Sequence, residues 1–421
     1  MYDTQQNERE GIPCSCGTSA MISKSIDTIS KADIESLIEN KVRECRTIDY
    51  KQTLPGNSDS DKKEFLADIS SFANAGGGDL LYGVSETDGL PQEMLGLEGN
   101  LDAEQSRLEN IVRTCLKPRV QGLRMRLIEG GSKGPILLIR VPNSWNAPHM
   151  VDFGGSTRFF VRNSAGKHQM DVSEIRASFL LSEAVPEKIR RFKDGRLGKI
   201  IANKSAVRLI EGAKLVLHIL PVDSFTTGRC FEVSVLKEKA ISVMAPIGSS
   251  GYSNMYNLDG FITYNSAGSN LEYRQGRSAA ESYALLFRNG LVESVCADLT
   301  REKDGKWFIP GTAYEEYIIK GVIRYITVLK ALGIAGPLVM FVTIIGVHGV
   351  CLSVDYRLSG GNPIDRDLLV LPEIFVEDYE ALLDKNITAK ALRPIFDSVW
   401  NACGFDRSYN YDENGNWVGM R

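Results

Sequence analysis

Glu44, Asp49 and Lys51 are the residues of this chain whose types and spacing best suit chemistry on a phosphodiester. In an extended strand, residues two apart leave the same sheet face, so Asp49 and Lys51 would project together. Carboxylates beside an ammonium can hold a hard divalent cation such as Mg²⁺, which activates water while the lysine steadies developing negative charge. From the residues alone, the plainer reading of the same three is a surface ion pair on a half-buried strand. Glu86 and Asp88, just past the apolar run at 80–84, stand where a further metal ligand would sit, or would form a solvated turn closed by Asp88-Gly89. Arg162, Asn163, Ser164 and Lys167 follow Phe159-Phe160-Val161 and suit a phosphate backbone, though a plain strand and turn would use the same residues. Pro148-His149 precedes them. None of the four histidines lies near a Cys or Ser in a spacing that argues for a triad.

These side chains need elements to position them. Ser30 caps a helix whose apolar residues Ile34, Leu37 and Ile38 have helical spacing. Ile48 and Tyr50 alternate with Asp49 and Lys51, which predicts a strand. Asp61 and Glu64 predict a capping box opening a helix with Phe65, Leu66, Ile69, Phe72 and Ala73 on one face. Gly76-Gly77-Gly78 ends it, and a buried strand follows at 79–84. Those glycines follow a helix rather than precede one. The dipole sign is therefore wrong for phosphate cradling, and close backbone packing is the better reading. No Walker-type phosphate loop occurs. A helix at 101–116, strands at 123–128, 136–141 and 159–162, and a helix capped by Asp171 and Glu174 complete the first half.

Beyond it, strands are expected at 215–219, 231–235 and 339–345, and helices at 278–288, 314–332 and 390–402. The fold class is α+β. The expected division is a leader at 1–28, a first domain at 29–182, a basic helical bridge at 183–211 and a second α+β domain at 212–421. In the second domain Asp259, Arg288 and Glu293 would form either a polar site or an internal ion-pair network.

Composition narrows the classes. At 421 residues, 43% apolar and 24% charged, the chain is ordinary globular protein of two or three domains, not disordered, collagen-like or a coiled-coil rod. A net charge of −4 gives no global positive field, so a nucleic-acid site must be a local patch. Residues 188–208 supply one: Lys188, Arg190, Arg191, Lys193, Arg196, Lys199, Lys204 and Arg208 stand against Asp194 alone. The apolar stretch at 334–354 is interrupted by Gly336, Pro337, Gly346, His348 and Gly349, so no membrane span is expected. The first residues lack the basic-then-apolar order of a signal peptide, which with eight scattered cysteines suggests a cytoplasmic, reducing location. Cys14-x-Cys16 is the one tight pair, read as free thiols in a polar leader rather than as half of a zinc site.

Glu44-Cys-Arg-Thr-Ile-Asp49-Tyr-Lys51 resembles the E-x(4)-E-[FY]-K segment of the Schlafen AlbA-type (AlbA_2) domain family. Phe72-Ala-Asn-Ala-Gly-Gly77 running into Leu81-Tyr-Gly-Val84 is similar to the family's central block. Phe160-Val-Arg-Asn-Ser-Ala-Gly-Lys167, with Met170, Glu174 and Ile175, resembles the closing segment of bacterial members. The resemblance implies a mixed sheet with helices and a metal-dependent endoribonuclease acting on structured RNA such as tRNA, in stress or phage defence. Carried over, Glu44, Asp49 and Glu86 or Asp88 would hold Mg²⁺ or Mn²⁺, with no organic cofactor. Glu44, Asp49, Lys51 and Glu86 would be catalytic. Asp49 stands where the family has Glu, one methylene shorter, and Ser85 stands where its third acid is usual. Arg162, Asn163, Lys167, Lys188, Arg190, Arg191, Lys193 and Arg196 would bind the nucleic acid. Bacterial members also carry ATP-binding or transcription-regulating labels, so a non-catalytic binding module is the alternative. The family's nucleases pair two such lobes; this chain shows one, and a homodimer would supply the second. No membrane partner is expected.

Overall fold

A computed structural model describes residues 22, 24, 26–144, 146–163, 166–226, 228–249, 251–266, 279–334, 336–354 and 361–419. Most of the expected leader, including Cys14 and Cys16, lies outside the described residues. Helix α1 (Lys31–Glu39) begins at Ser30, whose backbone N–H donates to Asp33 at 2.8 Å. Then come β1 (Ile48–Lys51), α2 (Asp59–Ala73), β2 (Gly78–Tyr82) and the hairpin β3 (Val84–Thr87) with β4 (Leu90–Met94). Helix α3 (Leu101–Cys115) leads to β5 (Leu116–Lys117), β6 (Arg124–Ile128), β7 (Ile136–Val141), β8 (Met150–Phe153), β9 (Ser156–Asn163) and β10 (Gly166–Gln169).

One sheet has the order β1-β2-β7-β6, with β1 parallel to β2 and the other pairs antiparallel. A second, antiparallel sheet has the order β10-β9-β8-β5. Strand alternation divides the first sheet between two cores. Leu80, Tyr82, Leu137 and Ile139 meet Phe65, Leu66, Ile69 and Phe72 of α2. Ile48, Tyr50, Leu81 and Leu138 meet Ile34 of α1 on the other face. Each fully buried Phe or Leu of this kind contributes about 1.5–3 kcal/mol. The glycine run does serve close packing. Gly77 has a φ of +84°, and a Cβ at Gly78 would lie 2.3 Å from the Phe72 ring.

Helix α4 (Val172–Ile201) is 30 residues long and opens with the expected Asp171–Glu174 capping box. It runs unbroken past residue 182, where the first domain was expected to end, and contains Pro186. The second half comprises β11 (Lys214–Pro221), α5 (Val233–Ala240), β12 (Ser253–Tyr256), β13 (Gly260–Ser266), β14 (Ala280–Phe287) and β15 (Val292–Cys296). These are followed by β16 (Arg301–Lys303), β17 (Lys306–Pro310), α6 (Ala313–Ala331), β18 (Leu338–Ile345), β19 (Cys351–Ser353), β20 (Leu368–Val370), β21 (Ile374–Val376) and α7 (Lys385–Ala402). Its large sheet has the order β12-β13-β14-β15-β11-β18-β20, and β21 also pairs with β18. Leu215, Leu217 and Ile219 face the core shared with α6 and α7. Val216 and Leu220 face Val185, Ile189, Leu197 and Ile200 of α4. The architecture is α+β.

Three local expectations are corrected. Helix α2 starts at Asp59, because Ser58 is its cap and accepts from the Asp61 N–H at 3.1 Å; Asp61 itself lies inside the first turn. The run at 278–288, read as helical, contains β14, and Ser278 lies outside the described residues. That strand is buried on both faces, so its continuous apolar run mimics a buried helix. Residues 231–235, read as a strand, lead into α5, whose buried Leu236 and Ala240 stand four apart. Among the described residues no helix is long and apolar enough to cross a membrane.

Candidate functional site

The spacing of Glu44 and Asp49 has a simple geometric cause. Cys45 N–H donates to the Ile48 carbonyl at 3.1 Å, so the chain reverses tightly between them. Glu44 folds back along β1, where its Oε1 accepts the Tyr50 N–H at 3.0 Å. The hairpin tip buttresses it, since the Glu44 N–H donates to the Gly89 carbonyl at 2.7 Å. Two carboxyl groups thus stand side by side and share a hydrogen bond. Partial burial together with the neighbouring Asp49 pushes Glu44 up to about 7. For Asp49 burial works the other way, but the Glu44 hydrogen bond and the charges of Arg162 and Lys51 outweigh it and hold the carboxyl below its ordinary range.

Asp49 and Lys51 do leave the same face of β1: Lys51 Nζ lies 3.1 Å from Asp49 Oδ1. Lys51 stays half-exposed, and Asp49 is buried. Burial disfavours the ammonium, but Asp49 and Asp68 more than compensate and raise its pKa. The face on which they project is the one covered by α2, which adds a residue that the sequence reading missed. Asp68 is buried on α2, four residues after Glu64. A carboxylate inside the apolar run Phe65, Leu66, Ile69, Phe72 was the available signal, because a buried carboxylate demands a cationic partner.

That partner corrects the reading of Arg162 and Lys167 as phosphate contacts. Arg162 is only 5% exposed, donates from Nη1 to Asp49 Oδ2 at 2.6 Å, and lies 3.7 Å from Asp68. Its guanidinium stacks on Phe72, 4.3 Å from the ring centroid. Lys167 donates to Asp68 at 2.7 Å and also pairs with Glu64. Strand pairing explains both positions: β9 and β10 place Arg162 opposite Lys167, and α2 packs against them. Asn163 is exposed at the end of β9, and Ser164 lies outside the described residues.

Glu86 and Asp88 do not complete a three-carboxylate group. Both are exposed, and Glu86 Oε2 accepts the Gly89 N–H at 2.7 Å, closing the β3–β4 turn in which Asp88 adopts a φ of +51°. Among the described residues no three His, Cys, Asp or Glu side chains gather in a group that would hold a metal ion. The Glu44–Asp49 pair by itself suits a different donor set. Asp49 Oδ1 is buried, with the Lys51 ammonium 3.1 Å away. Mg²⁺ commonly takes one or two protein carboxylates and completes its shell with substrate phosphate and water. The residues therefore fit a cation shared with substrate, not one held by three protein ligands.

The basic stretch also divides. Lys188 and Arg191 are exposed, as is Arg190, which lies 3.6 Å from Glu373. Lys193 pairs with Asp194 at 3.0 Å and lies over the Phe341 ring. Arg196 is buried, and its two hydrogen bonds to Glu293, at 2.8 and 2.7 Å, remove it from any phosphate surface. Glu293 also binds His218 and Tyr283, and Arg196 lies 3.7 Å from Asp259, so these residues form an internal ion-pair network; Arg288 instead meets the Leu258 carbonyl. His149 is buried. Its Nδ1 donates to the Pro118 carbonyl at 2.7 Å and its Nε2 accepts from Ser144 at 2.6 Å, tying two loops together.

Comparison with known proteins places this geometry in context. Residues 44–171 match the family model described as Schlafen, AlbA_2. No curated protein matches. Among solved structures, the N-terminal domain of a RecG-related protein from Nitrosomonas europaea is similar at 23% identity, with a TM-score of 0.25, over 32% of this chain and 92% of that one. The DIP2311 protein from Corynebacterium diphtheriae is similar at 16% identity, with a TM-score of 0.24, over 33% of this chain. The match spans about a quarter (26%) of that protein's chain.

Proposed function

Taking residues 44–171 as a Schlafen AlbA_2 domain, we propose that this protein binds nucleic acid through the face that carries Glu44, Asp49 and Lys51. The observation that carries this reading is the state of Lys51. It is the most exposed of three cations, its side chain 36% exposed against 21% for Lys167 and 3% for Arg162, in a cluster where they stand against Asp49, Asp68 and Glu64. With Glu44 protonated, the cations balance the carboxylates, and a phosphate can meet Lys51 without a net acidic field against it. Lys188, Arg190 and Arg191 offer further backbone contacts on α4. RNA, including folded RNA such as tRNA, is the proposed ligand.

The Glu44–Asp49 pair favours a second reading, a divalent-metal-dependent endoribonuclease. A Mg²⁺ or Mn²⁺ ion would be held by Glu44 and Asp49, replacing the proton between them, and would activate water and stabilise phosphorane charge. Lys51 would hold the scissile phosphate, and Arg162 would hold Asp49 in place.

One assay separates the readings. Total tRNA is incubated with the protein and Mg²⁺ or Mn²⁺, with EDTA, Glu44→Gln and Lys51→Ala controls. Binding that weakens in Lys51→Ala, without cleavage, supports the module. Cleavage lost with EDTA and with Glu44→Gln supports the nuclease. Binding and cleavage indifferent to both substitutions would remove this face from the function.

A further inference from the structure

Helix α4 begins with three turns that bury nothing: no residue from 171 to 184 is buried. There Phe179 lies edge-on to Phe159, with ring centroids 6.2 Å apart. Docking proper starts at Val185 and continues through Ile189, Leu197 and Ile200 on the large sheet. A short helical segment in water is marginal by itself, and most helical stability in proteins comes from packing an apolar face. Here the apolar residues point outward: Val172 is 73% exposed, Phe179 47% and Leu180 60%.

At 3.6 residues per turn, Val172, Arg176, Phe179, Leu180, Glu183 and Glu187 fall on one stripe. All six are exposed. The spacing reads the same from either end about the midpoint between Phe179 and Leu180. Arg176 and Glu183 stand at equal distances from that midpoint with opposite charges, and among the described residues neither has an ion-pair partner.

We propose that this stripe is a homodimer contact, in which two copies of α4 cross antiparallel about a twofold axis between Phe179 and Leu180. A twofold contact must be self-complementary, each pairing occurring twice. Antiparallel crossing at this midpoint sets Phe179 against Leu180 at the centre and Arg176 of one copy opposite Glu183 of the other, once on each side. The acidic pair Glu183 and Glu187 on the stripe disfavours a lipid surface or a nucleic-acid backbone as the occupant. One helix crossing covers less than the roughly 800 Å² per partner of a standard interface, so a micromolar dissociation constant is expected. The proposal does not depend on nucleic-acid binding, and its test contains no nucleic acid.

The test is sedimentation equilibrium of the full chain from about 1 to about 200 µM, the range over which a micromolar dimer forms. Wild type should pass from monomer to dimer. Leu180→Glu should remain monomeric throughout. Arg176→Glu and Glu183→Arg each place like charges at both flanks and should raise the dissociation constant about tenfold or more. The double variant Arg176→Glu/Glu183→Arg should return it to within about threefold of wild type, since the reversed pair restores complementarity. These positions are exposed, and circular dichroism checks that each variant is folded. A wild type that stays monomeric across the range overturns the proposal, whatever else binds the stripe. So does a dimer indifferent to Leu180→Glu, or a double variant no better than the singles.

Discussion

Glu44 is the residue on which the candidate site turns chemically. Its carboxyl is raised to about 7 by burial and by Asp49, so the folded protein holds a proton that the unfolded chain releases above the ordinary carboxylate range. Stability should therefore fall as pH rises from about 4.5 to 7, with no further loss from this group above that. Carbon-detected NMR titration of the metal-free protein should place the Glu44 midpoint near neutrality, and Glu44→Gln should flatten the pH dependence of the urea midpoint in that window. Arg162 sets a second expectation. Arg162→Met leaves Asp49 and Asp68 buried without their guanidinium, and breaking a buried pair costs about 3–5 kcal/mol. Denaturant unfolding should show a loss of that order. Arg162→Lys should recover only part of it, because an ammonium lacks the planar stack on Phe72.

At the level of elements, the Arg196–Glu293 pair is a polar tie between α4 and the large sheet, beside their apolar packing. Arg196 and His218 outweigh burial and bring Glu293 down to about 2. A depressed carboxyl contributes stability that is present above its unfolded pKa and lost as pH falls toward the folded value. The α4–sheet contact should thus weaken between about pH 4.5 and 2. Hydrogen exchange of 185–200 should rise through that window in wild type. In Glu293→Gln it should already be raised at neutral pH and change little on acidification. The elements were unevenly legible from sequence. The strand carrying Asp49 and Lys51 follows from Ile48 and Tyr50 alternating with them, and the α4 cap follows from Asp171 and Glu174. What could not be read was which cations the fold would spend internally. Arg162 and Arg196 look like surface charges until β9 and α4 bring them against Asp49 and Glu293, and that pairing is long-range. Strand β14 was missed because a strand buried on both faces carries no period.

Across the whole molecule, polar contacts among the described residues join the first half to the second besides α4. Gln121 donates to Glu377 at 2.9 Å, Asn143 donates to Thr226 at 2.8 Å, and Arg124 lies 3.8 Å from Glu380. The second half is closed by its last described residues. Glu315, fully buried on α6, accepts from Trp400, Ser408 and Trp417 at 2.7–2.8 Å. Burial nevertheless leaves its pKa raised. Trp417→Phe removes one of these donors from a buried carboxyl and should cost about 1–3 kcal/mol, visible as a lower thermal midpoint with the site around Glu44 unchanged.

The unbroken course of α4 has a consequence for how the halves are phased. A helix advances about 1.5 Å and turns about 100° per residue. One residue inserted between Leu181 and Val185 would therefore swing Phe179 away from Phe159 or Arg196 away from Glu293, while seven would nearly restore the angle. The two halves are geared to each other like wheels on one shaft, and a ladder of insertions should make their properties oscillate with the helical repeat.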